Sequence, residues 1–379
     1  MSLGKTFRSG VLTLLAAMFL SPMSGVSAAT IADNIAAIQQ VDQEATNNRA
    51  AAAALKELQN SATADDLLVM LKAFRDANPL AANYLRNAVE TSAGRLKAAG
   101  EKLPAEGLLT FVEDTSNNPT ARKIAFDLLV EIDSSHREKL IPGMLQDPSP
   151  ELRREAVQQA VDEAKKLHEE KSSEAKAAFE KALAGAVDKD QVEAIVEPLK
   201  ELDVTVDLQE HFGFLSKWQL IGPFDNRGLI GFDIVYPPEN EIDFDATYSG
   251  TEEEVKWQEL ATEDSYGILD IAKNIGPYKG AAMYATTVFN SPVDQKVEFR
   301  LGTPNAWKLW LNGELQFARE EYQRGMKLDQ YRIPVELKAG ENRILLKLLQ
   351  NEQEESWAQD YQFQFRVSDS VGSAIHPAE

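Results

Sequence analysis

Hydrophobic positions change their period near residue 205. Ala121, Ile124, Ala125, Leu128, Leu129 and Ile132 recur at helical spacing, as one apolar stripe of an amphipathic helix. Asn118-Pro119 stands before them, a capping side chain followed by a proline whose missing N–H costs nothing there. The arrangement recurs 31 residues later, where Ser149-Pro150 opens a helix carrying Leu152, Ala156, Val157, Ala160 and Val161. Ala121, Arg122, Ala125 and Leu129 then correspond to Leu152, Arg153, Ala156 and Ala160, and a weaker copy begins at Asn78-Pro79. Each copy follows another expected apolar helix: Leu67 to Phe74, Leu108 to Val112, and Leu140 to Leu145. A single helix pair cannot bury its stripe, so such pairs must stack on their neighbours. Further helices are expected over Ala29 to Asn60, Ser172 to Val187 and Asp190 to Leu202.

Beyond residue 205 the period falls to two. Tyr361, Phe363, Phe365 and Val367 alternate with Gln362, Gln364 and Arg366, and Val297, Phe299 and Leu301 alternate with Lys296, Glu298 and Arg300. Other strands are expected near 217–221, 254–258, 283–289, 307–311, 315–318, 331–337 and 343–349. Asn312-Gly313, set between alternating hydrophobics, predicts a tight hairpin, because both turn residues need positive φ. Short strands with turns and no helical spacers make an antiparallel sandwich. Composition shifts at the same place. All five tryptophans and eight of nine tyrosines lie beyond residue 200, whereas Ala, Leu, Glu and Lys dominate before it.

These segments also carry resemblances. The paired helices with a short Asp/Pro turn and an early Arg, as in LQDPSPELRREAV, resemble HEAT repeats over residues 63 to 167. FLSKWQLIGPFDNRGLIGFDIVYPPE, KLWLNG and LKAGENRILLKLLQ, in that order over residues 210 to 368, resemble exported bacterial proteins with HEAT-like helices upstream. The last two pieces are also similar to jelly-roll, galactose-binding-like domains that accompany many glycoside hydrolases. That resemblance implies sugar binding or a purely structural role. The expected fold is thus α plus β: a HEAT-like α-solenoid over 29–205, a jelly-roll β-sandwich over 206–370, and a disordered tail over 371–379.

Charge and cysteine narrow the partners. Met1 to Ala28 reads as a secretory signal: Lys5 and Arg8, then an apolar run from Val11 to Leu20, then Val26-Ser27-Ala28. The run is too short for a permanent membrane span, so an exported chain without membrane insertion is expected, periplasmic or extracellular. There is no cysteine, hence no disulfide and no thiolate metal site. The formal charge is -21; there are 21 basic and 29 acidic residues from Ala29 to Lys200, and 16 against 31 beyond. Such a field repels phosphate backbones, so nucleic acid is not an expected partner.

Chemistry is sparse. His136, His168, His211 and His376 are scattered without metal-ligand spacing, and neither a G-x-S-x-G elbow nor a Gly-rich phosphate loop occurs. No enzyme is expected, although a polysaccharide hydrolase with two carboxylates across a cleft would be the catalytic alternative. No cofactor is expected; a structural Ca²⁺ would draw on Asp225, Asp233, Asp243 or Asp245, whose spacing matches no EF-hand loop. Aromatics are sharper. Alternation sends Trp307, Leu309 and Leu311 to one face and Trp310 with Lys308 to the other. Trp310, Asn312, Tyr322, Arg324, Asp329 and Tyr331 form the expected carbohydrate site, since sugar faces stack on rings and hydroxyls bond Asp, Asn and Arg. Trp218 and Trp257 are expected in the core. The expected work on this reading is non-catalytic binding, helices to a protein and sandwich to a glycan; a structural protein with no sugar ligand is the alternative.

Overall fold

The computed structural model describes residues 29–42 and 44–378. The expected leader, 1–28, lies outside them. The chain divides into two compact units, the first ending at Gly107 and the second beginning at Leu108. It is α plus β, with helices first and antiparallel sheets after them.

The first unit holds α1 (Ile31–Gln39), α2 (Asn48–Ser61), α3 (Ala64–Lys72) and α4 (Pro79–Ala98), with the start of α5 (Ala105–Glu113). Its helices begin where caps occur. Thr30 and Asp33 make a capping box on α1, and the Asn78 side chain accepts from Ala81 N at 2.9 Å with Pro79 behind it. Ile38, Leu58, Met70, Leu71, Leu85 and Val89 supply the buried stripe.

The second unit carries α6 (Pro119–Ile132), α7 (Ser135–Leu140), α8 (Pro150–Glu169), α9 (Ala175–Gly185), α10 (Lys189–Glu201) and α11 (Leu208–Phe212). The expected helix at 140–145 is not one: α7 stops at Leu140 and a 3₁₀ turn, Ile141–Gly143, replaces it. Pro142, which removes a backbone donor and clashes with the preceding turn, accounts for the break. The repeated arginines have repeated jobs. Arg122 Nε donates to Val112 O at 2.8 Å, and Arg153 Nε donates to Gly185 O at the same 2.8 Å. Each ties its helix to the end of another. Arg122 spends its remaining donors on Asp147, at 2.6 and 2.8 Å. Arg153 instead donates to Ser373 Oγ, at 2.9 Å and 220 residues further on.

The strands are β1 (Lys217–Asp225), β2 (Thr247–Ser249), β3 (Glu254–Lys256), β4 (Gln258–Ala261), β5 (Leu269–Asp270), β6 (Ala281–Ser291), β7 (Gln295–Gly302), β8 (Ala306–Leu311), β9 (Glu314–Arg319), β10 (Tyr331–Leu337), β11 (Gly340–Gln350) and β12 (Gln362–Ser368). One sheet runs β4-β1-β6-β11-β8-β9, a second runs β10-β7-β12-β5, and β2-β3 form a small ribbon. The two larger sheets enclose one apolar core. Trp218, Met283, Trp307, Leu309, Leu346 and Leu348 come from the first, and Phe299, Ile333, Val335, Phe363 and Phe365 from the second. Asn312 and Gly313 both take positive φ, 52° and 85°, as the β8–β9 hairpin requires.

The C-terminal residues expected as a disordered tail are held through Ala378. Ile375 N donates to Val367 O at 3.0 Å, Ala378 N donates to Asn290 O at 2.8 Å, and Ile375 packs on the shared core. An apolar residue and paired backbone groups fix what its polar composition left open. Among the described residues no helix is long and apolar enough to cross a membrane.

Candidate functional site

The outer face of the six-stranded sheet is organised in rows, because residues paired across antiparallel strands project to the same side. One row crosses all six strands: Glu259, Gln219, Thr286, Leu345, Trp310, Leu315. It begins polar and ends apolar. On one side of it lies the row Ile221, Tyr284, Lys347, Lys308, Ala318. On the other side lie Val288 and Arg343.

The segment after β1 folds over this face. Phe232, Tyr236 and Ile242 pack onto Ile221, Phe224, Tyr284, Trp310, Leu345 and Leu349, a second apolar cluster separate from the inter-sheet core. Electrostatics hold it down. The Lys347 ammonium, fully buried, donates to Glu239 Oε1 at 2.8 Å and to Ile234 O at 2.7 Å, while the Tyr284 hydroxyl donates to the same carboxylate oxygen. The Tyr236 and Tyr284 rings lie 5.2 and 5.6 Å from that nitrogen. Burial lowers the Lys347 pKa, and the Glu239 hydrogen bond and charge offset part of the shift. Burial, then the Glu239 contact, pushes the Tyr284 phenol far above its ordinary value.

The cover stops short of the sheet's end. Two recesses of about 250 and 260 Å³ remain, and Arg343 lines both. The first is walled by Glu239, Asn240, Glu241 and Ile242 over Trp310 and Leu345. The second is lined by Lys217, Gln219, Phe244, Glu259, Thr286 and Val288. Phe244 is 46% exposed, sits edge-on to Trp257 at 5.5 Å, and has the Arg343 guanidinium 5.7 Å from its ring centre. Gln219 Nε2 donates to Glu259 at 3.3 Å. The face therefore offers an apolar ring, a cation and several hydrogen-bonding groups within two small hollows. That combination suits a ligand with both apolar and polar faces.

The six residues expected as a site are not all brought together; Trp310 and Tyr322 share the outer apolar cluster. Trp310 faces away from Trp307, as alternation requires, but it is only 8% exposed and forms the floor of a recess rather than a stacking platform. Tyr322 packs on the same cluster, its hydroxyl accepting from Asn226 Nδ2 at 3.3 Å. Asn312 is spent in the hairpin: its Oδ1 accepts from Arg343 N at 2.8 Å and its Nδ2 donates to Asn342. Arg324 is exposed and paired with Glu321 at 3.0 Å. Tyr331 belongs to the inter-sheet side, its ring 4.9 Å from Trp307.

Asp329 does something else. Arg366, Arg300 and Arg332 stand in one row on the outer face of the four-stranded sheet. Asp329 accepts from Arg300 at 2.6 Å and from Arg366 at 2.7 and 2.6 Å, with both arginines buried. Burial would raise its carboxyl, but the hydrogen bonds and charges of Arg366 and Arg300 outweigh that and hold it below the usual range. Arg366 Nη1 also donates to Phe212 O at 3.1 Å and to Gly372 O at 3.0 Å, so the cluster joins α11, the loop before β10 and the C-terminal segment. Nearby, Tyr266 OH donates to Glu193 at 2.8 Å, and Lys189 lies 4.4 Å from the Tyr266 ring.

Trp218 lies in the inter-sheet core, whereas Trp257 is half-buried beside Phe244. Of the aspartates considered for Ca²⁺, Asp225 is held by Arg227 at 2.8 Å, and its carboxyl is lowered to about 2 by those hydrogen bonds. Among the described residues no group of three or more His, Cys, Asp or Glu is placed to hold a metal ion.

No family model and no curated protein matches the chain. Among solved structures, 24% of the chain aligns with 11% of a β-glucosidase from Kluyveromyces marxianus in complex with glucose, at 17% identity and a TM-score of 0.20. An α-xylosidase from Xanthomonas citri aligns over 41% of this chain and 16% of its own, at 11% identity and a TM-score of 0.20. A Pseudomonas fluorescens alkylpurine DNA glycosylase bound to DNA aligns over 91% of this chain and 93% of its own, at 9% identity and a TM-score of 0.19. The chain thus spans 11% and 16% of the length of those two glycosidases. Likenesses at such TM-scores carry no argument about fold or function.

Proposed function

We propose that this is an exported, non-catalytic binding protein. On this reading the helices form a HEAT-like stack for a protein partner, and the two sheets are a jelly-roll, galactose-binding-like domain holding a glycan. One observation supports the glycan reading above others: the row from Glu259 to Leu315 passes from polar to apolar beside the exposed Phe244. A sugar has the same division, with C–H faces that pack on a ring and hydroxyls that pair with amides and carboxylates. The recesses, at about 250 and 260 Å³, are each near the lower end of ligand-pocket sizes, roughly 300 Å³. Together they suit a disaccharide or a short stretch of polymer. Calorimetric titration of the full chain with a panel of soluble oligosaccharides tests this. Phe244→Ala and Gln219→Ala are expected to weaken binding; unchanged affinity in both removes this face from the reading.

A structural role for the protein is favoured by a different observation. Asp329, Arg300 and Arg366 make a buried joint between helix and sheet, as an assembly protein needs. Absence of any heat of binding across the panel would leave that reading in place.

A further inference from the structure

Arg343 stands apart among the arginines of the described residues. The protein carries 60 acidic residues against 39 basic ones, and carboxylates pair with many of its arginines. Arg122 has Asp147, Arg154 has Asp188 and Asp190, Arg227 has Asp225, Arg319 and Arg324 have Glu321, and Arg300 and Arg366 have Asp329. Among the described residues Arg49, Arg75, Arg86 and Arg332 also pair with no carboxylate but are exposed, and Arg95 and Arg153 use backbone carbonyls and Ser373 Oγ; Arg343 has no carboxylate, yet it is half-buried and lines both recesses. Lys217, lining the second recess, has no carboxylate partner either. Of the carboxylates lining the two recesses, Glu239 is held by Lys347 and Tyr284 and Glu259 by Gln219, while Glu241 stands in the first recess without forming an ion pair with Arg343.

A guanidinium left this way is a fork of donors fixed at the meeting point of two hollows, matched in shape to a carboxylate. Phe244, exposed and packed against that guanidinium, offers the adjacent apolar surface. We propose that the ligand of this face is an anionic saccharide of the uronic-acid class. Its carboxylate bonds Arg343, its ring lies on Phe244, and Lys217 adds charge from the far side of the second recess. The inference rests on the glycan reading above and sharpens it.

The test is calorimetric titration of the full chain with an oligogalacturonate, with the same oligomer after reduction of its carboxyls to alcohols, and with a sulfated oligosaccharide. The oligogalacturonate is expected to bind, more weakly at high salt, and the reduced form to bind about 10- to 100-fold less tightly. Arg343→Gln should bring the first affinity down to the second and leave the reduced oligomer unaffected, whereas Phe244→Ala should weaken both. Thermal unfolding of both variants checks that they fold; Arg343 makes no side-chain ion pair whose loss would unfold the sheet. Equal affinity for the acidic and reduced oligomers, or an Arg343→Gln variant that still distinguishes them, overturns the anionic assignment and leaves the glycan reading intact. Preference for the sulfated oligomer overturns the uronic-acid class. No binding of any of the three overturns the anionic assignment too; if the neutral panel also gives no heat, the glycan reading falls with it.

Discussion

The two sheets each carry buried charge on their outer faces, and they use it differently. On the four-stranded sheet, Arg300 and Arg366 converge on Asp329 and on the backbone of Phe212 and Gly372. Charges, donors and neighbouring chain are matched, and the result is a finished joint between helix and sheet. On the six-stranded sheet, Lys347 and Glu239 pin a covering segment over half of the face and leave the other half with two recesses and an unpaired Arg343. A buried ion pair adds little net stability, because desolvation offsets most of the attraction. Its use in both places is to specify which piece of chain lies where. The difference teaches that one face is fastened and filled, whereas the other is fastened but not filled.

The largest expected effect comes from breaking the finished joint. Asp329→Ala leaves two buried arginines without their shared carboxylate, and unfolding in urea should show a loss on the order of 5 kcal/mol. A loss below about 1 kcal/mol would mean the joint is wet and the contrast between the faces is false.

Next comes the pin on the other face. Glu239→Ala strands a fully buried ammonium and should cost about 3 to 4 kcal/mol, whereas Lys347→Met with Glu239→Leu should return to within about 1 kcal/mol of the parent. A double variant as unstable as the single one would show that this pair contributes net attraction as well as placement.

Acid should discriminate between the faces with a smaller effect. The Asp329 carboxyl is held below its ordinary value in the folded protein. Its contribution is therefore present above the unfolded value, about 3.9, and is lost as pH falls through the lower folded value. Urea midpoints should drop as pH falls below 4, and Asp329→Asn should flatten that part of the profile. The same slope in parent and variant would place the acid sensitivity elsewhere.

Much of the fold could be read from the chain. Alternation located β7, β8, β10 and β12, and the cap-then-proline pairs at Asn78, Asn118 and Ser149 stand at the starts of α4, α6 and α8. The placement of Trp310 opposite Trp307 also followed from period two. Its burial did not. The cover over Trp310 is held by Glu239 and Lys347, 108 residues apart, and nothing local encodes that pairing. A signal was nevertheless present in β11. Leu345 and Leu349 interrupt the alternation of Ile344, Leu346 and Leu348, and a strand apolar on both sides is a strand covered on both sides. Arg343 and Lys347 were the polar exceptions on the outer side; Lys347 holds the cover, and Arg343 lines both recesses. Asp329 was misread for a similar reason. Arg300 and Arg366 alternate with buried phenylalanines, so two arginines had to share one outer face, and the nearby aspartate was needed to neutralise them rather than to meet a sugar.

The contact between Arg153 and Ser373 has a consequence in time. The two arginines at matching places in the helical repeat are completed at very different moments of synthesis. Arg122 finds Asp147 within 25 residues, as soon as the next turn of chain has been made. Arg153 waits for a serine 220 residues downstream. That helix gains its last partner only after both sheets have been made, so this contact forms late rather than as the helix emerges.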